Sequence, residues 1–227
     1  MTIESLDSLS SYWLDPENPL RWDCLFVLPA WLQVWWSVFG AELTPYICVV
    51  RDREQVIGIA PLLVEGKEAR FLGDPDVCDY QDFIVAPGRE QEFFEVLINH
   101  LRQQGVTHLD LKPVRADSMV LGEFVGVAKS LECEVSCEPE DVTLEIELPA
   151  TWDDFLGKLT GKQRHEVRRK LRRLHETAEI NNRVVEDVKG VKDEMDTFLT
   201  LFGLSRSEKA TFMTSQMATY FRSLAET

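Results

Sequence analysis

The fold is decided by the stretch FIVAPGREQEFFEVLINHLRQQGVTHLDLK, residues 83–112. Its apolar start, residues 83–86, is typical of a strand, and a Pro-Gly pair then precedes a segment with apolar residues at helical spacing. This predicted helix, residues 89–104, ends at Gly105, and a second strand, residues 107–112, follows at once. A strand, a helix and a strand within about 30 residues predict a βαβ unit whose two strands are parallel.

Further strands are predicted before this unit. They cover residues 46–50, 55–64 and 69–72. A charged turn, residues 51–54, joins the first two strands, and a second turn is predicted at residues 73–76. The strands therefore form an antiparallel meander, and the whole sheet is predicted to be mixed. Residues 1–23 are polar and interrupted by proline.

An uncharged run of 18 residues, 24–41, contains three tryptophans near its centre. Pro29 suits a first helical turn and Gly40 suits a C-terminal cap, so residues 30–39 are predicted to form a helix. A membrane-spanning helix rarely has tryptophans at its centre, because they favour the membrane–water interface. We interpret the helix as part of a protein core, and no membrane span is predicted.

Composition and charge narrow the class of protein. The chain has 227 residues, of which 44% are hydrophobic, enough for one large or two small domains. A net charge of −15 argues against nucleic-acid binding by the whole surface. The five cysteines have no CxxC spacing, so neither a disulfide framework nor a zinc site is predicted. Residues 1–10 lack the pattern of a secretory signal, so we expect a cytoplasmic protein with reduced thiols.

After residue 112 the sequence alternates between helical and strand patterns. The predicted elements are a helix at 117–131, strands at 132–137 and 143–148, a helix from 151, a basic helix from 161, a strand at 180–186, and helices at 191–202 and 207–225. The fold class is α/β. The first domain is predicted to span residues 1–149, and the second begins at residue 150.

The basic helix is the most unusual segment of the chain. Residues 158–173 hold eight of the 24 basic residues against one acid, so the segment carries +7 and the remainder of the chain −22. Thr160 and Gln163 have the spacing of a capping box, in which each side chain binds a free amide at the start of the helix. Apolar residues follow at steps of four, three and four and form a narrow seam, which is predicted to be buried: Val167, Leu171, Leu174 and Ala178.

Cations lie on both sides of this seam. We interpret four of them as an anion-binding set: Lys162, Arg164, Arg168 and Arg172. A guanidinium group suits bidentate phosphate contacts, which makes Arg164 and Arg168 the principal candidates. The alternative is a solvated helix that balances an acidic protein body.

Several of these segments together resemble the GNAT superfamily of acetyltransferases, specifically its CelD/BcsL type with a BioF2-like domain. The strongest match is residues 148–174, where a tryptophan, acidic residues and leucines precede a basic helix that ends Arg-Arg-Leu. Weaker matches are at residues 70–73, 79–82 and 109–112. The resemblance covers roughly residues 25–205. It implies two GNAT-like units in tandem, the second incomplete and mainly helical, and an acyl-CoA donor such as acetyl-CoA.

The resemblance also implies where the donor would bind. A GNAT fold holds the pyrophosphate of the donor on backbone amides at a strand-to-helix turn. In the first unit this turn is residues 85–91, which has one glycine, a proline without an amide donor, and an acid in the first helical turn. We therefore expect no standard acetyl-CoA site there. The strands and donor site of the second unit would follow residue 227, which would leave this chain inactive alone.

One short segment could carry proton transfer. Asp79, Tyr80 and Asp82 lie at a strand entrance beside a Gly/Pro turn, where a carboxylate could accept a proton and a phenol could donate one. These three are the predicted catalytic residues. The alternative is that they are solvated or capping groups of a turn. The histidines lack metal-ligand spacing, so no metal site is predicted.

Two functions follow as hypotheses. The first is a GNAT-type acyltransferase that moves an acyl group from acyl-CoA to a small-molecule or glycan-related amine or hydroxyl, which the resemblance places in cell-envelope or exopolysaccharide metabolism. Aminoacyl-tRNA, the donor of related peptidoglycan peptidyltransferases, is a variant of this hypothesis. The second is a non-catalytic module whose basic helix binds an acidic partner, a nucleic acid or a second copy of the chain.

Overall fold

A computed structural model describes residues 1–74, 76–181 and 183–227 and has the predicted α/β class. Pro75, in the predicted turn at 73–76, and Asn182, in the predicted strand at 180–186, lie outside the described residues.

Helices form where apolar residues recur at helical spacing. They are α1 Ser8–Leu14, α2 Pro29–Phe39, α3 Glu90–Gln103, α4 Val125–Ser130, α5 Trp152–Lys158, α6 Gly161–Thr177, α7 Val188–Ser205, α8 Ser207–Phe212 and α9 Ser215–Ala225. A 3₁₀ turn, Leu25–Val27, precedes α2, and a π-helical turn, Val120–Phe124, precedes α4. The strands are β1 Thr2–Glu4, β2 Pro45–Asp52, β3 Gln55–Glu65, β4 Glu68–Phe71, β5 Ile84–Val85 and β6 His108–Asp110.

The strands form one mixed sheet, as predicted. The order is β1-β2-β3-β4-β6, and β2, β3 and β4 form the predicted antiparallel meander. Strand β5 pairs antiparallel with β3 on the edge that β4 also uses, and β6 pairs parallel with β4. The strands on either side of α3 therefore run in the same direction, which confirms that prediction, but they are not neighbours.

Both faces of this sheet are buried, because successive side chains of a strand point to opposite faces. Ile47 and Val49 of β2 belong to a hydrophobic cluster that contains α1, α2 and residues of α9. Cys48 and Val50 belong to the cluster formed with α3 and α4. Burial on both sides explains the nearly continuous apolar runs in β2 and β3.

Helix α9 packs on α2 through a fully buried tyrosine. The ring centroid of Tyr220 lies 6.0 Å from that of Trp31 and 5.4 Å from that of Phe39. Neither the Tyr220 hydroxyl nor the Trp35 indole nitrogen has a hydrogen-bond partner among the described residues. At Tyr220 the contact therefore depends on apolar and aromatic packing, and Gln216 of α9 adds a hydrogen bond to the Val38 carbonyl of α2 at 2.9 Å.

Several predictions after residue 112 were wrong. No strand forms at 132–137 or 143–148, and none forms in the described part of 180–186. The alternation of apolar and polar residues is present in 143–148, but no strand pairs with it. By contrast, the helix predicted at 117–131 forms over residues 120–130, where the π-helical turn runs directly into α4. The predicted helix at 207–225 is broken into α8 and α9, because Thr214 caps a new helix.

Strand β1 and helix α1 form at the amino terminus, where no element is predicted. The described chain divides into two compact units: residues 1–138 with 188–227, and residues 139–187. The boundary predicted at 149/150 separates two GNAT-like units, which is a different division from one by compactness, so it stays a prediction. Of the helices within the described residues, none combines the length and the apolar character that crossing a bilayer requires.

Candidate functional site

The loop between β4 and β5 carries the predicted catalytic residues, and a buried glutamine fixes its shape. The Gln81 side-chain amide donates to the carbonyl of Leu72 at 2.7 Å, and the Gln81 backbone amide donates to the carbonyl of Pro113 at 2.9 Å. Gly73 has a φ of +149°, and a Cβ at this position would lie 2.9 Å from the Gln81 amide nitrogen. Gln81 was not among the predicted site residues, because between Tyr80 and Asp82 in a polar loop its sequence context gives no signal of burial.

Asp82 is held in place by two backbone amides. Its Oδ1 accepts from the amide of Phe83 at 2.9 Å, and its Oδ2 accepts from the amide of Met119 at 3.0 Å. Burial raises the pKa of the Asp82 carboxyl, and the hydrogen bonds from these amides oppose part of that rise. Because both oxygens have partners, the carboxyl joins the loop to the start of the π-helical turn.

The other two residues of the set have different surroundings. The Tyr80 ring packs edge-to-face on Phe26 with the centroids 4.9 Å apart, and the Arg115 guanidinium lies 5.1 Å from the Tyr80 centroid. Asp79 is exposed to solvent. Of the three predicted catalytic residues, Asp79 is therefore the carboxylate available to a ligand, and Asp82 has a structural contact.

The strand-to-helix turn before α3 is occupied by the chain's own carboxylates. The Gly88 amide, which could bind a phosphate, donates to Glu90 Oε1 at 3.1 Å. The Arg89 guanidinium binds Asp52 at 3.0 Å and Glu92 at 2.6 Å. These contacts engage the Gly88 amide and the Arg89 guanidinium within the chain. That this turn lacks a standard donor site stays a prediction.

Helix α6 begins at the predicted capping box. The Thr160 hydroxyl accepts from the Gln163 amide at 3.3 Å, and the Gln163 side chain accepts from the Thr160 amide at 3.0 Å. Both contacts satisfy amide groups that lack partners within the helix. The start of the basic helix was therefore predicted correctly.

Arg164 links α6 to the helix before it. Its Nε donates to the carbonyl of Leu156 at 2.8 Å, and its Nη2 donates to the carbonyl of Leu159 at 3.1 Å. A cation at these carbonyls stabilises the C-terminus of α5. Nη2 also donates to the carbonyl of Gly157 at 3.3 Å, so this candidate anion ligand makes three hydrogen bonds to the protein and has a structural role as well.

The seam of α6 is exposed, which corrects the prediction that it is buried. No residue of α6 is buried, and Leu171 and Leu174 are 37% and 51% exposed. The spacing of the apolar residues is correct, but no element in the described part of residues 139–187 covers them. The sequence pattern identifies which face is apolar, whereas burial also requires a packing partner.

The cations of α6 differ in their availability. Arg169 binds Glu166 at 2.7 Å, which lowers the pKa of Glu166, and Arg172 lies 3.7 Å from Glu176. Among the residues that the structure describes, no ion pair involves Lys162 or Arg168. These two exposed side chains are the most accessible members of the predicted anion-binding set.

No group of three His, Cys, Asp or Glu side chains suits a metal ion in the described ranges. Comparison with known proteins found no match to this chain among protein-family models, curated proteins or solved structures. The family resemblance therefore stays a prediction, and the chain is placed by its own structure as an α/β protein with a mixed sheet and an exposed basic helix.

Proposed function

We propose that the chain belongs to a GNAT-type acyltransferase, which transfers an acyl group, such as acetyl, from acyl-CoA to an amine or hydroxyl acceptor. One observation carries the proposal: the order and direction of the elements in the sheet. An antiparallel meander, β2-β3-β4, is followed by strand β5, helix α3 and strand β6, which is parallel to β4. This arrangement is what the family resemblance implies for a GNAT-like unit.

The proposed reaction needs few groups from the protein. The acceptor nitrogen or oxygen attacks the thioester carbonyl carbon, the carbon–sulfur bond breaks, and CoA leaves as the thiolate. A carboxylate or water takes the acceptor's proton, and backbone amides stabilise the negative charge on the carbonyl oxygen. Asp79 is the better candidate for the carboxylate, because Asp82 already accepts two backbone hydrogen bonds.

Donor phosphates would meet the accessible cations of α6. Lys162 and Arg168 lack ion pairs among the described residues, and Arg172 has one partner at 3.7 Å. Arg164 would contribute its remaining donors. Charge-assisted hydrogen bonds between a guanidinium and phosphate oxygens are among the stronger polar contacts in proteins.

Calorimetric titration with acetyl-CoA and with free CoA tests this proposal. The variant Arg168→Ala/Arg172→Ala removes two charges from one side of the seam, and Lys170→Ala/Arg173→Ala removes two charges elsewhere on α6. We expect the first variant to lose roughly tenfold or more in affinity, since a hydrogen bond to a charged group contributes about 1.5–3 kcal/mol. The second variant should bind like the wild type.

Release of free thiol from acetyl-CoA in the presence of amine and hydroxyl acceptors measures the chemistry. Asp79→Asn should slow it if this carboxylate accepts the proton. Absence of binding to both acetyl-CoA and CoA, with no thiol release, would contradict the proposal for this chain.

A second function is favoured because α6 has no buried residue and most of its cations are exposed: a non-catalytic module that binds an acidic partner, such as a nucleic acid. Its affinity should fall steeply as salt rises, because binding would release counterions. The variant Arg168→Lys/Arg172→Lys should retain binding, whereas a shaped phosphate site prefers arginine. Fluorescence anisotropy with a single-stranded oligonucleotide over a salt series measures both properties.

A further inference from the structure

Residues 142–148 form neither a helix nor a turn, and they carry an apolar stripe that no described residue of their own compact unit buries. Val142, Leu144, Ile146 and Leu148 alternate with polar residues, which places them on one side of an extended chain. Leu144 is 92% exposed and Leu148 is 79% exposed. Isolated exposed leucines are ordinary, but a continuous stripe with strand periodicity is typical of an interaction surface.

The seam of α6 is the second uncovered apolar surface within residues 139–187. Its length fits the stripe. Six steps of extended chain from Val142 to Leu148 span ~20 Å at about 3.3 Å per residue. Eleven helical steps from Val167 to Ala178 span ~17 Å at about 1.5 Å per residue.

The two surfaces also carry opposite charge. The stripe lies in an acidic segment, since residues 139–148 contain Glu140, Asp141, Glu145 and Glu147 and no basic residue. The seam lies between rows of arginine and lysine. These flexible cations can extend past the edges of a strand laid on the seam, and charges act over about 10 Å at 0.1 M salt.

We propose that this protein forms a symmetric dimer in which residues 142–148 of each copy lie along the α6 seam of the other. A twofold axis makes the two contacts equivalent, because the rotation that places the stripe of one copy on the seam of its partner also places the partner's stripe on the seam of the first copy. The contact covers the apolar residues of both surfaces. The side of α6 opposite the seam, which includes Lys162 and Arg173, stays exposed in this dimer. The dimer is a property beyond the proposed acyltransferase function and does not depend on it.

Sedimentation equilibrium over a range of concentrations tests the dimer. We expect a mass that rises from 26.1 kDa towards twice that value. Leu144→Gln/Leu148→Gln should weaken the dimer by about tenfold or more, because apolar burial supplies most of the association free energy. The matched control Val184→Gln/Leu204→Gln changes two apolar residues that are 85% and 78% exposed outside both surfaces, and it should associate like the wild type.

Mixing two variants tests the pairing of stripe with seam. Leu171→Gln/Leu174→Gln has an intact stripe, and Leu144→Gln/Leu148→Gln has an intact seam. Each variant alone should be monomeric, whereas their mixture should associate through the one contact that remains intact.

Three outcomes would overturn the proposal. These are a wild-type chain that stays monomeric at all concentrations, a stripe variant that dimerises as strongly as the wild type, and a mixture that shows no heterodimer. Circular dichroism of each variant checks that its helices are intact. We expect intact helices, because the substituted leucines are exposed.

Discussion

Asp79 and Asp82 lie three residues apart in one loop, but within the part of the chain that the structure describes only the Asp82 carboxyl accepts backbone hydrogen bonds. Removing the Asp82 carboxyl leaves the Phe83 and Met119 amides without their acceptors. We expect Asp82→Ala to lower the free energy of unfolding by roughly 1–3 kcal/mol, the cost of unsatisfied buried polar groups. Asp79→Ala should change it by less than about 0.5 kcal/mol, as is usual for a surface position.

Urea denaturation followed by circular dichroism measures both values. Equal stability losses for the two variants would contradict the assignment of a structural contact to Asp82 alone.

Tyr220, which is buried, and Tyr12, which is half-buried, provide a paired test of tyrosine hydroxyl groups with and without hydrogen-bond partners. The Tyr220 hydroxyl has no hydrogen-bond partner among the described residues, whereas the Tyr12 hydroxyl donates to Glu4 at 2.7 Å and accepts from Arg51. Tyr220→Phe should therefore leave the free energy of unfolding unchanged or raise it, by up to about 1–3 kcal/mol. Tyr12→Phe should lower it by roughly 1–2 kcal/mol. Thermal unfolding of the two variants would count against this account if Tyr220→Phe were the less stable.

The Tyr12 hydroxyl also predicts a pH dependence. Burial, followed by the hydrogen bond to Glu4, raises the pKa of Tyr12 from 10.0 to about 12. The unfolded chain therefore loses this proton at a lower pH than the folded chain, so stability falls as pH rises from 10 to 12. Denaturation measured across this range should show a smaller decline for Tyr12→Phe than for the wild type.

For the candidate site residues, the sequence predicted which residues matter but not what each one does. The sequence identified Asp79, Tyr80 and Asp82 as a polar group at a strand entrance, and it raised capping as the alternative role. It could not assign that role to Asp82, because the Met119 amide is 37 positions away in the sequence. Arg164 is the converse case: its partner carbonyls are near in sequence, but a basic pattern does not distinguish a helix contact from a ligand contact.

The packing of α3 against a glycine of strand β3 gives a prediction about stability. Gly58 of β3 lies under α3, and a Cβ there would be 2.3 Å from the Phe93 ring. We expect Gly58→Ala to lower the free energy of unfolding by about 1–3 kcal/mol, because a packed core must shift to admit the methyl group. Gly126→Ala in α4 meets no atom within 4 Å and should raise it by roughly 0.5–1 kcal/mol through better helix propensity.

Chemical denaturation of the two glycine variants decides this prediction. A Gly58→Ala variant as stable as the wild type would mean that the sheet and α3 are not tightly packed at this point.

Elements were predictable where their partners are close in sequence. The meander β2-β3-β4 and helix α3 follow from alternation, turns and helical spacing, and the structure has them within a few residues. Residues 143–148 have an equally good strand pattern, but a strand also needs a neighbour for its backbone hydrogen bonds. The π-helical turn at Val120–Phe124 has no distinct sequence signal that separates it from an ordinary helix.

The distribution of thiols over the whole molecule can be measured directly. Cys24, Cys48 and Cys78 are buried, and burial raises the pKa of Cys24 to about 11 and that of Cys48 to about 12. A thiol reacts as its thiolate, so these cysteines should be inert in the folded protein. Cys137 is exposed and Cys133 is partly exposed.

Titration with a disulfide reagent should therefore modify Cys137 first and Cys133 next, and the remaining thiols only after denaturation. Rapid modification of Cys48 in the native protein would contradict the burial of the sheet between its two helical layers.

At the scale of the molecule, the sequence predicted the α/β class, the mixed sheet and the position of the basic helix. It did not predict that α7 and α9 belong to the same compact unit as the sheet, because that contact joins α2 to residues far along the chain. The sequence also could not predict which cations of α6 are available to a ligand, because that depends on which neighbouring carboxylates and carbonyls each cation binds.

The shared edge of β3 has a consequence for how this protein can change during evolution. Strands β4 and β5 add to the same edge of β3, and the loop that carries Asp79 and Tyr80 leaves and rejoins the sheet there. Both ends of the loop are fixed by the register of one strand, so insertions or deletions between them leave the other strand pairs in place. We expect lineages of this protein to differ in the length of this loop between Gly73 and Asp79, while Gln81, Asp82 and the lengths of β2 and β3 are kept.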